Sequence, residues 1–228
     1  MGVFCTITDS EIDRLDKETF KAVESYIIES GLGSDKESFE VIKARLLAPP
    51  IFSAEEFAEE AIYVILAGGF RQAVAKRKFA EIMNFIKTAN RDKTVDEQDI
   101  FNIFHNPNKA RAIAKIWNGR VAYRDGFYAS ENKVFYLGRL PHIGEITRNH
   151  LARNLGISNV KYDVWIQRLG IALYGADGSL AAGFPLLEGV KEACDKMFFE
   201  LERETGYDRG YIDVVLWKAC QVGIFRFS

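Results

Sequence analysis

"RLPHIGEITRNHLARNLGISNVKYDVWIQRLG" spans residues 139 to 170 and sets a Pro-x-x-Gly turn ahead of a single aspartate in a run that otherwise has helical spacing. It predicts a helix, a short hairpin, a second helix, a loop, and Asp163 at the start of a further helix. A hairpin of this kind leaves the first N–H groups of the second helix pointing outward. There the amides and the helix dipole together favour an anion such as a phosphate oxygen. Asp163 follows "SNVKY" and precedes "VWIQRLG", which places it as an N-cap whose carboxylate the following amides keep ionised. A charge held there can stabilise a developing cation or polarise water.

Outward from this stretch the dominant period is helical. "SAEEFAEEAIYVILAG" opens with a capping box, Ser53 with Glu56, and stops at Gly68-Gly69. "QAVAKRKFAEIMNFIKTA" puts Phe79, Ile82, Met83 and Ile86 on one face with cations around the others. Seven more helical candidates follow, from "EQDIFNIFHN" to "RGYIDVVLWKACQVG", separated by Gly, Asn or Pro. Residues 1–50 read as two helices, "DSEIDRLDKETFKAVESYIIESG" and "DKESFEVIKARLLA", ending at Pro49-Pro50. The best strand-like piece is "GRVAYRDGF", which reads equally as an irregular loop. The expectation is an all-α chain with an N-terminal helical extension, 1–50, packing on a core of 51–228.

Composition bounds the function. At 228 residues and 48% hydrophobic content the chain can bury a real core. No apolar run is long enough for a membrane span and no secretory signal is visible, so the sequence reads as cytoplasmic. Cys5, Cys194 and Cys220 are odd in number and widely separated, which fits reduced thiols and gives no metal-ligand spacing. With a net charge of -2, any DNA surface must be a local basic patch.

"LPHIGEIT" followed by "YDVWIQRLG" resembles the helix-hairpin-helix and downstream aspartate of the DNA glycosylase superfamily that includes endonuclease III, 8-oxoguanine glycosylase and the alkyladenine glycosylases. Leu140, Pro141, Ile143, Gly144 and Asp163 fit its pattern. "AIYVILAGGFRQAVAKRKF", "NPNKARAIAKIW" and "GYDRGYIDVVLWKACQVG" are similar to further family helices in the same order, so the resemblance covers roughly residues 55 to 225. It implies a two-lobed helical fold with the active site in the cleft and the hairpin on its rim. The implied chemistry acts on a base flipped out of double-stranded DNA.

Departures from the family pattern say which kind of member is implied. Bifunctional members carry an attacking lysine two residues after the hairpin's second glycine; here that position is Ile146, which implies a monofunctional enzyme without lyase activity, in which Asp163 assists water. His142 replaces the usual first glycine of the hairpin and carries strain if the position needs positive φ. By the same resemblance Phe70 wedges into the duplex, Arg71 or Gln72 meets the estranged base, and His142, Gly144, Ile146 and Arg148 face the backbone. Lys76, Arg77, Lys78 and Arg153 would complete a basic surface. Trp217 would stack on the base while Asp213, four residues away on one helix face, accepts hydrogen bonds from its edge. No cofactor or metal is required, with an alkali cation at the hairpin left open.

Two rivals remain: a non-catalytic DNA-binding protein on this fold, and an enzyme that hypermodifies bases in viral DNA while leaving the glycosidic bond intact. The residues do not choose among damaged guanine, alkylated purines and bulky viral pyrimidines, so repair and antiviral defence both stay open.

Overall fold

A computed structural model describes residues 15–31, 39–88, 94–175 and 180–225. Among them the chain is all-helical, with no strand. The expected beginnings of both N-terminal helices, Cys5, and the centre of the glycine-rich loop after Tyr174 lie outside the described residues.

The chain divides into two compact units, one from residues 50–155 and one from 1–49 together with 156–228. This differs from a 1–50 extension on a 51–228 core. The chain leaves the first-begun unit at Pro49-Pro50, where proline stops the helix, and re-enters it at Gly156, whose φ of 82° only glycine adopts without strain.

Among the described residues the unit of residues 50–155 holds seven helices, numbered in chain order after the two that precede them: α3 Ala54–Ala67, α4 Gln72–Thr88, α5 Glu97–Ile103, α6 Pro107–Asn118, α7 Arg120–Ala129, α8 Lys133–Leu137 and α9 Glu145–Asn154. Helix α3 opens with the expected box: Ser53 Oγ accepts from the Glu56 amide at 3.1 Å, and Glu56 Oε2 accepts from the Ser53 amide at 2.8 Å. It is buried on nearly every side from Phe57 to Leu66 and packs against α4, α6, α7 and α9, so it is the core element of its unit. The polar exception, Glu60, accepts from Asn154 Nδ2 of α9 at 3.2 Å.

The strand-like "GRVAYRDGF" is helix α7. Phe127 is its buried anchor, 5.5 Å from the Phe57 ring, and the Arg120 guanidinium sits 4.8 Å over Trp117 while pairing with Glu55 at 2.9 Å. The absent side chain at Gly126 lets the Tyr136 ring lie against α7 and donate to the Tyr123 carbonyl at 3.1 Å. Tertiary anchoring thus overrides the local alternation.

The other unit contains α1 Lys17–Glu29, α2 Phe39–Leu47, α10 Val164–Tyr174, α11 Glu188–Thr205 and α12 Arg209–Gln221. Helix α12 packs on all four others around Phe20, Ile42, Ile166, Met197, Phe198 and Tyr211. Helices α10 and α11 approach closely because residue 170 is glycine: a Cβ there would lie 2.6 Å from Cys194 Sγ. The N-terminal helices are tied in by Glu24, buried, which accepts from the Tyr211 hydroxyl, while Lys43 Nζ lies 4.7 Å over the Tyr207 ring.

The re-entry at Gly156 is tight, since a Cβ would come within 2.6 Å of the Arg45 carbonyl and 3.0 Å of Pro49 Cβ. Gly156→Ala combines left-handed strain with this clash and is expected to cost at least about 2 kcal/mol, read as a lower midpoint in urea denaturation followed by tryptophan fluorescence.

Candidate functional site

The residues singled out in the sequence fall into two groups, one in each unit. In the unit of residues 50–155, α8 and α9 are joined by a turn anchored by the buried Leu140 and Ile143. The Ile143 amide donates to the Leu140 carbonyl at 3.1 Å, closing a four-residue turn with Pro141 second and His142 third. His142 has φ 61°, the one positive value among described non-glycine residues. Proline followed by positive φ is the type II arrangement, which selects glycine at its third position. Histidine here stores strain of about 1–2 kcal/mol.

Gly144 caps α9 without any side-chain acceptor. Its own amide donates to Thr147 Oγ1 at 2.8 Å, which leaves the following first-turn amides, Ile146 among them, without a side-chain cap. Glu145 is well exposed and lies 3.7 Å from Arg148. Its carboxylate opposes an incoming anion, while the long, exposed side chain can swing clear.

Beside this turn lies the end of α3. Gly69 has φ 79° and turns the chain into Phe70, which is 41% exposed and edge-on to the Phe104 ring at 5.3 Å. Arg71 is exposed and Gln72 half-buried. The two turns are neighbours: a Cβ on Gly68 would lie 3.6 Å from Thr147 Cγ2.

Lys109, which sequence reasoning missed, joins them. It is 5% exposed, donates from Nζ to the Gly68 carbonyl at 2.5 Å, and stands 4.5 Å from the centre of the Phe70 ring. Burial pushes its pKa down to about 8. His142 is held below the usual histidine range by partial burial and then by the Lys109 charge. The signal was present in "NPNKARAIAKIW": Lys109 stands four residues before Ile113, on the buried face of its helix.

The expected basic surface is smaller than the sequence suggested. Arg153 is 2% exposed and so belongs to the interior. Lys78 is tied to Glu81 at 2.6 Å and to the Ile103 carbonyl at 3.0 Å, and Arg77 also faces Glu81, at 3.8 Å.

In the other unit Asp163 is the N-cap of α10. Its Oδ1 accepts from the amides of Trp165 at 3.0 Å and Ile166 at 3.3 Å. Its Oδ2 pairs with Lys161 Nζ at 3.2 Å, and that ammonium lies 5.4 Å from the Trp217 ring centre. Asp163, Lys161 and half-buried Trp217 therefore share one location. Lys161 was not singled out in the sequence, where "SNVKYD" looks like an ordinary loop. Asp213 is 0% exposed, and its Oδ2 accepts from the Lys161 amide at 3.3 Å. It lies beneath the backbone that carries Lys161 and Asp163, away from any open face. Gln167, also buried, donates to the Tyr162 carbonyl at 2.9 Å and accepts from the Gly183 amide at 2.8 Å, pinning the same segment.

Burial raises the Cys194 thiol to about 12 and the Cys220 thiol higher still, which makes both poor nucleophiles at neutral pH. Among the described residues no cluster of His, Cys, Asp or Glu could hold a metal, and no helix is long and apolar enough to cross a membrane.

Two substitutions test these local assignments. Asn caps as well as Asp but does not pair with Lys161, so Asp163→Asn is expected to lose only the ion pair, and Asp163→Ala a further amount of about 1 kcal/mol for the cap, both read from the melting temperature. His142→Gly relieves the turn and is expected to stabilise by about 0.5–1 kcal/mol after the entropy cost of glycine, measured by urea denaturation.

Compared with protein-family models, with curated proteins and with solved structures, the chain matches none.

Proposed function

We propose that the protein is a monofunctional DNA N-glycosylase that excises a damaged or modified base from double-stranded DNA and leaves an abasic site. The observation that carries this reading is the left-handed backbone at His142. In the family that "LPHIGEIT" resembles, glycine stands there, and a chain that keeps the turn with histidine accepts strain to do so. Strain of this kind persists where a function depends on the geometry. On this reading α8, the turn and α9 form the helix-hairpin-helix of the superfamily fold. The amides that follow Gly144 grip a phosphate, with His142, Ile146 and Arg148 along the same backbone.

Phe70 enters the stack as the target nucleotide leaves it, with Arg71 and Gln72 at the estranged base; unstacking costs a few kcal/mol, which the wedge offsets. Trp217 offers the extruded base a ring face. As the N-glycosidic bond loosens, the sugar becomes an oxocarbenium-like cation. Asp163, oriented by two amides, stabilises it, and a water adds to the anomeric carbon. Asp213 holds the Lys161–Asp163 segment in place. The chemistry needs no cofactor, and an alkali cation at the hairpin would only aid the phosphate grip. The protein would work on DNA in the cytoplasm, in repair or in defence against modified viral DNA.

One observation favours a second reading, a DNA-binding protein without base release. The Lys161 ammonium, 3.2 Å from Asp163, offsets part of the negative charge that the cation would need.

The deciding experiment is mass spectrometry of free bases, with an abasic-site assay, on duplexes carrying damaged, alkylated or virally modified bases. Wild type is expected to release one of them, and Asp163→Asn to slow release by at least about 100-fold. Binding without release moves the assignment to the DNA-binding protein. A change of base mass with the glycosidic bond intact identifies a base-modifying enzyme.

A further inference from the structure

We infer that Lys109 is a positioning residue for DNA entry: its buried ammonium bonds the Gly68 carbonyl and lies against the Phe70 ring, holding that ring where it can take the place of an extruded base. The inference rests on the proposed DNA-acting role and goes beyond it, because neither the hairpin nor Asp163 requires this lysine.

The geometry gives the ammonium two contacts within one turn. Its Nζ is 2.5 Å from the Gly68 oxygen and 4.5 Å from the Phe70 ring centre. Gly68 caps the C-terminus of α3, where carbonyls lack helical donors and the dipole favours a cation. Gly69 next to it has the left-handed backbone of a chain reversal. The donor from α6 adds a charged bond to this turn beyond its own backbone bonds. Phe104 meets the Phe70 ring edge-on at 5.3 Å, so the ring is held from two sides and still 41% exposed. An aromatic ring that is both braced and exposed is what intercalation between bases needs.

The cost argues in the same direction. A desolvated ammonium is expensive, and burial lowers its pKa to about 8. Leucine or methionine at 109 would fill the same buried face of α6 without it. The lysine therefore supplies something that packing does not, and both of its contacts are in the Phe70 turn.

The test is a double-mutant cycle that needs no knowledge of the target base. Wild type, Lys109→Met, Phe70→Ala and the double variant are mixed with a mismatched duplex carrying 2-aminopurine beside the mismatch, and base extrusion is read as the rise in fluorescence. Affinity for an undistorted duplex and the melting temperature are measured alongside. Phe70→Ala is expected to lower extrusion about tenfold. Lys109→Met should lower it by a similar factor with duplex affinity within about twofold of wild type, and the double variant should be no worse than Phe70→Ala, because the lysine acts through the ring. Should Lys109→Met fail to fold, Lys109→Gln keeps a donor for Gly68 and removes only the charge, and the same cycle applies. Unchanged extrusion in the Lys109 variants, or losses that multiply in the double variant, would overturn the inference while leaving the glycosylase reading intact. A wild type that binds no duplex would overturn both.

Discussion

Helix α3 is buried on nearly every side, and at its half-buried C-terminal end a cation takes the carbonyl of its cap. Lys109 reaches from α6 to the Gly68 oxygen, and two turns of the unit meet around this closure. It permits the glycine reversal at residues 68 and 69. It sets Phe70 against Phe104, and it leaves room at Gly68 for Thr147 at the head of α9. A hydrophobic residue at 109 would satisfy packing and take from the half-buried carbonyl its charged donor. The ammonium instead converts the helix end into a fixed corner. Two turns of different origin meet there, one ending α3 and one opening α9.

In the other unit a carboxylate plays the corresponding part at the opposite pole of a helix. Asp163 caps α10, and the amides of Trp165 and Ile166 take one of its oxygens. Lys161 takes the other. The ion pair is partly buried, so its attraction is screened less than at a surface. Its direction is set by Asp213, which holds the Lys161 amide from below. Truncating Asp213 would therefore act on the geometry of Lys161 and Asp163 through the backbone they share. The pair also sets the electrostatic balance of any chemistry at Asp163. A substrate that displaces the ammonium from Oδ2, or draws it toward a phosphate, would free the carboxylate for a developing positive charge.

Much of this was legible in the residues. The Ser53 and Glu56 box, the stop at Gly68 and Gly69, the break at Pro49 and Pro50 and the cap at Asp163 are local features, written in side chains within one turn of the backbone they control. All four are where their chemistry puts them. What escaped was set by contacts distant in sequence. Helix α7 hid behind an alternating pattern because its anchors, Phe57 and Tyr136, come from other helices. Arg153 resembled surface charge and is interior, since helical period alone does not say how deep a face lies. Asp213 fell on the predicted face of α12, but the Lys161 backbone covers that face. The regrouping of residues 156–228 with the N-terminal helices was invisible for the same reason: α12 meets α1 and α2 through apolar packing and the Tyr211–Glu24 hydrogen bond, partners far apart in sequence.

Two costs converge on one patch of the unit of residues 50–155. His142 occupies a glycine conformation, and Lys109 carries a charge in a buried place. The first costs backbone strain and the second desolvation, and the two are close enough that the lysine charge depresses the histidine pKa. Here both act on the geometry of exposed turns, fixing the turn before α9 and the ring of Phe70 side by side. These are the turns to which the proposed DNA-binding role is assigned, so the two costs and the proposed contact with the duplex fall on the same face of the unit.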